Sequence, residues 1–289
     1  MLNAKKLDRL FSKFNVNPTE DQFLALLREA AVLSAEIDVK EPQWSQQELD
    51  EALHGKHSLF SVRPAALPRE PYLHAFNALK KVALAAEPES DAWHGMPEAK
   101  AFFTQERLNA LARNPEVLWD ELESAGVDLD AAALAFVPVA CFAMRVFFDK
   151  IAAETCSRMN KLVPDTVHFE RSLTCPICGL NASLAGVGAA RNHGNVKRLY
   201  CSCCGGSWQF ERIRCAMCGT EAVSDLQYVH SHDDDKHRLH VCSSCGEAVP
   251  TVFGAESDDF DPDFELWRSA ELMQAYQQQL QEDEHSANA

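Results

Sequence analysis

The sequence predicts an α+β protein in which an all-helical N-terminal domain is followed by two small, tandem, β-rich modules. Apolar residues recur at helical spacing through residues 1–165, and glycines, cysteines and short β-type runs replace them afterwards. The cysteines of this second part come at a spacing that repeats. We therefore predict a helical domain over 1–165, modules over 166–209 and 210–255, and a C-terminal helix with an acidic tail over 256–289.

Composition is that of a globular protein, with 46% hydrophobic and 24% charged residues in a chain of 289. The net charge of −16 disfavours nucleic acid and acidic membrane surfaces as partners. The longest uncharged apolar stretch, residues 131–144, is shorter than the roughly 20 residues that cross a bilayer. No export signal precedes the first charged residues, so we expect a reducing, cytoplasmic setting without membrane insertion.

Helix boundaries are marked by capping residues and prolines. Asn17-Pro18-Thr19-Glu20 combines a capping side chain, a first-turn proline and a glutamate, which predicts that a helix begins there. Near the C-terminus, Phe264 and Trp267 begin an amphipathic pattern that predicts a last helix packed on the body. Further helices are predicted at 69–87, 97–113, 115–125 and 128–158, the last interrupted at Pro138.

Eight of the eleven cysteines form four Cys-x-x-Cys pairs, each followed at once by glycine. Two residues between thiolates let a tight turn aim both sulfurs at one metal ion, and the glycine permits the positive φ of such a turn. Amides of the turn can donate hydrogen bonds to the sulfurs. We interpret each pair as a metal knuckle, and the predicted ligands are Cys175, Cys178, Cys201, Cys204, Cys215, Cys218, Cys242 and Cys245.

The four knuckles have a duplicated rhythm. The first and third begin 40 residues apart, and Arg198-Leu199-Tyr200 before the second recurs as Arg238-Leu239-His240 before the fourth. A knuckle, a β-excursion and a second knuckle make a zinc-ribbon or rubredoxin-like module that clamps one tetrahedral ion. We predict two ions, one held by knuckles one and two and the other by knuckles three and four. Interleaved pairing, metal-free redox motifs and a disulfide framework are the alternatives.

The remaining cysteines and a histidine cluster have simpler interpretations. Cys141, Cys156 and Cys203 are expected to fill space as small apolar residues. Four histidines lie around the acidic run at residues 233–235, and because the thiolate sets are already complete we expect them on a solvated hairpin tip: His230, His232, His237 and His240.

A closed set of four sulfurs suits zinc or a single iron, and leaves no open coordination position for Lewis-acid chemistry. The sequence also lacks a phosphate-binding loop, a His-Glu-x-x-His motif and a Gly-x-Ser-x-Gly motif. We therefore predict a protein that is not an enzyme.

The cysteine region resembles the formate dehydrogenase accessory protein (FdhE) family. The resemblance lies in Cys175-Pro-Ile-Cys178-Gly179, Arg198-Leu199-Tyr200-Cys201-x-x-Cys204, Trp208-x-x-x-Arg212-x-x-Cys215-x-x-Cys218 and Cys242-x-x-Cys245-Gly246. It covers about 70 residues, and Cys203 and the acidic tail depart from the pattern.

The resemblance implies a cytoplasmic maturation factor for respiratory formate dehydrogenase that binds its catalytic subunit. It carries the eight paired cysteines over as ligands and implies rubredoxin-like iron, with zinc as the other candidate. A second copy of the chain is a further candidate partner.

Two other classes of function remain open from the sequence. Iron bound by four sulfurs would permit one-electron transfer, as in a rubredoxin-like redox protein. A nucleic-acid-binding ribbon would need a basic face, for which the candidate residues are Arg191, Lys197, Arg198, Arg212 and Arg214.

Overall fold

A computed structural model describes residues 1–162, 171–190 and 194–287. The chain begins with a layer of helices and continues into a single mixed sheet. The helices of the first part are α1 Ala4–Phe14, α2 Gln22–Glu36, α3 Gln46–Leu53, α4 Leu59–Val62, α5 Arg69–Ala86, α6 Ala99–Phe102, α7 Gln105–Arg113, α8 Val117–Ser124, α9 Leu129–Leu134 and α10 Phe136–Leu162.

Side-chain caps set most of these helix starts, with one difference from the prediction. The Asn17 side chain accepts from the Thr19 amide, and Pro18–Glu20 closes only a short 3-10 turn. The helix α2 begins after it, where Asp21 Oδ1 accepts from the Leu24 amide at 2.9 Å. The predicted start at Asn17 is therefore wrong by one turn, because a second capping residue follows the first.

The centre of the helical layer is α10, most of whose residues are buried. We predicted a break at Pro138, but the break lies before α10, at Ala135. Pro138 lies in the first turn of α10, where a residue without an N–H costs no hydrogen bond. Aromatic rings such as Phe136 and Phe148 then pack against α4, α5 and α6, so one apolar core joins these helices.

Six strands form one sheet in the order β3-β2-β1-β6-β5-β4. Each module contributes three consecutive strands. The strands β1 and β6 pair in parallel, with Ala185 opposite Thr251 and Val187 opposite Phe253. All other strand pairs are antiparallel. The two modules thus follow one another head to tail. The strands are β1 Leu184–Ala190, β2 Gly194–Tyr200, β3 Ser207–Phe210, β4 Leu226–Val229, β5 His237–Cys242 and β6 Ala248–Phe253.

The C-terminal segment packs back on the body, as predicted, but as two helices: α11 Pro262–Arg268 and α12 Ala270–Ala287. Phe264 is fully buried and contacts the rings of Phe11 and Phe14 on α1. Glu265, also buried, accepts from Lys236 Nζ at 2.6 Å. The helix α11 therefore joins the first helix of the chain to the second module.

The predicted fold class, helices followed by two four-cysteine modules, is confirmed. The predicted domain boundary at residue 165 lies outside the described residues. Among the helices that the structure describes, none combines the length and the apolar character needed to span a bilayer.

Candidate metal centres

The first centre is formed by Cys175, Cys178, Cys201 and Cys204, whose sulfurs all lie within 4.8 Å of one another. Cys175 Sγ and Cys204 Sγ are 3.5 Å apart, as are Cys178 Sγ and Cys201 Sγ. Four sulfurs at 2.3 Å from a tetrahedral zinc ion would be about 3.8 Å apart. All four cysteines are buried, so the sulfurs are placed and sheltered as a structural metal site requires.

Backbone geometry explains why the sulfurs converge. Gly179 and Gly205, which follow the first two knuckles, have φ of 93° and 79°, and their amides donate to the Cys175 and Cys201 carbonyls at 2.9 Å. A residue with a Cβ is strained at such angles. The turn also directs the Gly206 amide to Cys204 Sγ at 3.3 Å, which offsets the charge of a thiolate.

The second centre repeats this arrangement in a more open place. Its sulfurs also lie within 4.8 Å, with 3.8 Å from Cys215 to Cys245 and from Cys218 to Cys242. Cys218 and Cys245 are exposed, while the other two are buried. The Thr220 amide donates to the Cys218 thiol and is the largest cause that lowers its pKa, to about 7.

The structure brings together knuckles one and two, and knuckles three and four, and not the interleaved pairs. All eleven cysteines are free thiols, so a disulfide framework is excluded. The two centres could each bind a metal ion, with a donor set that suits zinc or iron equally. That the eight cysteines are the protein's metal ligands stays a prediction.

The helical layer holds the first centre directly. Amides at the start of α4 donate to the first knuckle, from Leu59 to the Pro176 carbonyl and from Phe60 to the Ile177 carbonyl, both at 2.9 Å. On the other side Arg145 of α10 donates to the Ser202 carbonyl at 2.7 Å in the second knuckle. The first centre is therefore part of the main core, whereas the second lies beyond it.

Arg145 is the buried connection between these parts. Its Nε donates to Asp149 Oδ1 at 3.0 Å and its Nη2 to Asp263 Oδ2 at 2.9 Å, which ties α10 to α11. The side chain is only 3% exposed, so two carboxylates and the carbonyls of the second knuckle share one desolvated guanidinium. No motif in the sequence marks this residue as a connection between the two parts.

Two buried bases occupy the same position of each repeat, Lys197 on β2 and His237 on β5. Lys197 Nζ donates to the Arg214 carbonyl and to His240 Nδ1, both at 3.2 Å. The His237 ring nitrogens contact Asp234 and Glu265 carboxylates, each at 2.6 Å. The alternation of Lys197 with buried Leu199 along β2 was the available sequence signal.

The expectation that all four histidines lie on a solvated tip is wrong for two of them. His230 and His232 are exposed or half-buried beside the acidic run, but His237 and His240 are buried at 3% and 5% exposure. Burial and then the neighbouring Lys197 lower the pKa of His240 to about 4, and burial lowers the pKa of Lys197 to about 8. The hairpin therefore places its second half inside the protein.

The low pKa of His240 predicts a pH dependence of stability. Because the unfolded chain takes up a proton near pH 6.5 and the folded protein does not, stability is lost as pH falls from 6.5 towards 4. Between pH 7.5 and 5.5 this residue should cost about 1.4 kcal/mol of unfolding free energy. The variant His240→Gln should lack this part of the decline in urea unfolding. An identical decline in both proteins would contradict the assignment.

The three remaining cysteines lie outside both sulfur sets. Cys203 and Cys156 are buried, and Cys156 Sγ accepts from the Ser207 amide at 3.1 Å. Cys141 is half-buried, and burial raises the pKa of its thiol well above the usual range. Their packing agrees with the expectation that they fill space.

Among the candidate basic residues that the structure describes, Lys197 and Arg214 are buried and add nothing to an exposed basic face. Lys197 is buried, Arg198 Nη2 donates to Asn160 Oδ1 at 2.7 Å, and Arg214 Nη1 donates to the Arg171 carbonyl at 2.9 Å. Arg191 lies outside the described residues. The surface that a nucleic-acid-binding ribbon would need is therefore not assembled from these side chains.

Fold and cysteine geometry together define the class of protein, a helical body that carries a tandem pair of four-cysteine ribbon modules. Comparison with known proteins finds similarity to FdhE proteins. A stretch of 92 residues is 26% identical to "Protein FdhE homolog" of Aquifex aeolicus (strain VF5) and covers 30% of this chain. It spans 32%, or about a third, of the length of that relative.

The likeness of fold covers more of the chain. The crystal structure of the FdhE protein from Pseudomonas aeruginosa superimposes with a TM-score of 0.54 over 98% of this chain and 92% of that one, at 19% identity. No protein-family model matches the chain. The resemblance to the FdhE family that the knuckles predicted is thus confirmed in sequence and in fold.

Proposed function

We propose that the protein is an accessory factor in the maturation of respiratory formate dehydrogenase, which binds the catalytic subunit of that enzyme in the cytoplasm. The observation that carries this proposal is the fold likeness to an FdhE protein over nearly the whole chain. The two four-cysteine centres, built from the eight cysteines that the family resemblance carries over, support it.

The chemistry of the donor sets favours a role without catalysis of bond cleavage. Four thiolates around one ion leave no coordination position for a substrate or water, so a bound ion would stabilise the fold or carry one electron. Each centre would hold one ion, iron by family resemblance or zinc. The helical layer would then supply most of the surface for a partner, and the first centre would keep the sheet fixed against that layer.

The test is affinity purification of the tagged full-length protein from its native cytoplasm without oxygen, with iron and zinc measured in the same sample. We expect the catalytic subunit of formate dehydrogenase to co-purify, together with about two ions per chain. A matched preparation of an unrelated tagged protein is the control. Absence of the subunit from repeated purifications, with the protein intact and loaded, would refute the proposal.

A second function is favoured by the exposure of Cys218 and Cys245. Iron at the second centre would be reachable by a redox partner, as in a rubredoxin-like electron-transfer protein. The absorption spectrum of the anaerobic protein decides between the two, because ferric iron with four thiolates is coloured and zinc is not. A colourless, zinc-loaded protein that still captures the subunit leaves only the accessory role.

A further inference from the structure

Two neighbouring cavities lie where the helical layer, both modules and the C-terminal helices meet. The larger, about 600 Å³, is bounded by α2, β6, α11 and α12, and the smaller, about 410 Å³, by α8, α10 and the segment after the first knuckle. Ala182 and Ser183 line both of them. The cavities therefore lie side by side at one short segment, and we call the surface that they line the groove.

The groove has the lining of an adaptable apolar binding surface. Trp119, 40% exposed, lies in the smaller cavity, and Trp267 with the half-buried Met217 and Met273 lies in the larger one. Tryptophan side chains dominate the energetics of many interfaces, and methionines adapt to differently shaped partners. Trp267 is fixed in place, since its Nε1 donates to Asp21 Oδ2 at 2.8 Å.

The charge of the groove has one sign. Carboxylates occur in both cavities, Glu116 in the smaller one and Asp21 and Glu87 in the larger one. Among the described residues that line the two cavities, none is a lysine, arginine or histidine. An occupant that complements this surface must combine apolar groups with positive charge.

We propose that the groove binds a segment of a partner polypeptide that carries apolar side chains flanked by lysine or arginine. That the occupant is a polypeptide and not a small organic cation rests on the proposed function and on the presence of two adjacent cavities with a tryptophan in the lining of each. Apolar side chains would enter the two cavities and contact Trp119 and Trp267. The basic side chains would lie against Glu87 and Glu116 at the rims.

The first experiment uses the metal-loaded full-length protein and three fluorescein-labelled peptides of equal length. One contains leucine and arginine, the second has glutamate in place of each arginine, and the third has glycine in place of each leucine. Fluorescence anisotropy at physiological salt should show binding of the first and at least ten-fold weaker binding of the others. Equal binding of the first and third peptides would mean that attraction between arginine and an acidic protein accounts for all of the binding. That result would overturn the proposal.

Variants of exposed groove residues test the location. Trp119→Ala should weaken the first peptide by about thirty-fold, as for an interface hot spot. Glu87→Lys combined with Glu116→Lys should weaken it by about ten-fold. The matched controls outside the groove are Leu134→Ala, at a residue 68% exposed, and Glu154→Lys. Equal losses in groove and control variants would overturn the proposal.

The same variants, used in purification of the catalytic subunit, separate this proposal from the proposed function. Loss of the subunit in Trp119→Ala but not in Leu134→Ala supports both. Peptide binding without capture of the subunit by the unmodified protein refutes the proposed function and leaves the groove. Capture that persists in the groove variants, together with no binding of the first peptide by the unmodified protein, refutes the groove alone.

Discussion

Replacing Cys175 and Cys178 together with serine should reduce the metal content from two ions per chain to one and destabilise the whole protein. The reason is that the first centre lies inside the core that joins α4 and α10 to the sheet. A structural four-cysteine site contributes roughly 10 kcal/mol or more of binding free energy to folding. Mass spectrometry of the native protein and thermal unfolding would measure the two effects.

The matched control is the double change Cys215→Ser and Cys218→Ser in the second centre. This variant should also lose one ion, but its helical layer should unfold near the unmodified temperature, because Cys218 is exposed and lies beyond the main core. Hydrogen exchange should then show loss of protection in β4 and β5 only. Equal destabilisation by the two double changes, or unchanged metal content in either, would contradict the assigned roles.

The variant Arg145→Met should lose about 3–5 kcal/mol of unfolding free energy, because it leaves two carboxylates buried without their cation. Asp149 and Asp263 are 1% and 7% exposed. Burial raises the pKa of Asp263 to about 6 even with Arg145 opposing it. Adding Asp263→Asn to Arg145→Met should recover part of the loss, since one uncompensated charge is then removed.

Arg28→Met is the surface control for this prediction. Arg28 Nε contacts Asp8 Oδ1 at 2.8 Å, but both side chains are more than 40% exposed, and such pairs contribute about 0–1 kcal/mol. Urea unfolding at neutral pH would compare the unfolding free energies of the three variants with that of the unmodified protein. If Arg145→Met is no more costly than Arg28→Met, the buried network does not hold α10, the second knuckle and α11 together.

The cysteine spacing predicts that the two thiols of each knuckle meet, because a tight turn places them together regardless of the rest of the fold. The duplicated rhythm favoured sequential pairing of the knuckles without excluding interleaved pairing, and the structure brings the sequential pairs together. Lys197, His237 and Arg145 could not be assigned in this way. Their burial depends on contacts between segments far apart in the chain, such as Arg145 with Asp263 and His237 with Glu265. The break before α10 was misplaced because proline is compatible with the first turn of a helix.

The parallel pairing of β1 with β6 relates the two modules by translation and not by a two-fold axis. Translation gives the two copies unequal neighbours: β3 and β4 are the two edge strands of the sheet, and β3 of the first module packs against α10. The first module is therefore sheltered by the helical layer, whereas two cysteines of the second module are exposed. Because of this asymmetry, the first module can evolve towards holding the sheet on the helices, while the second module stays accessible to solvent and to other molecules.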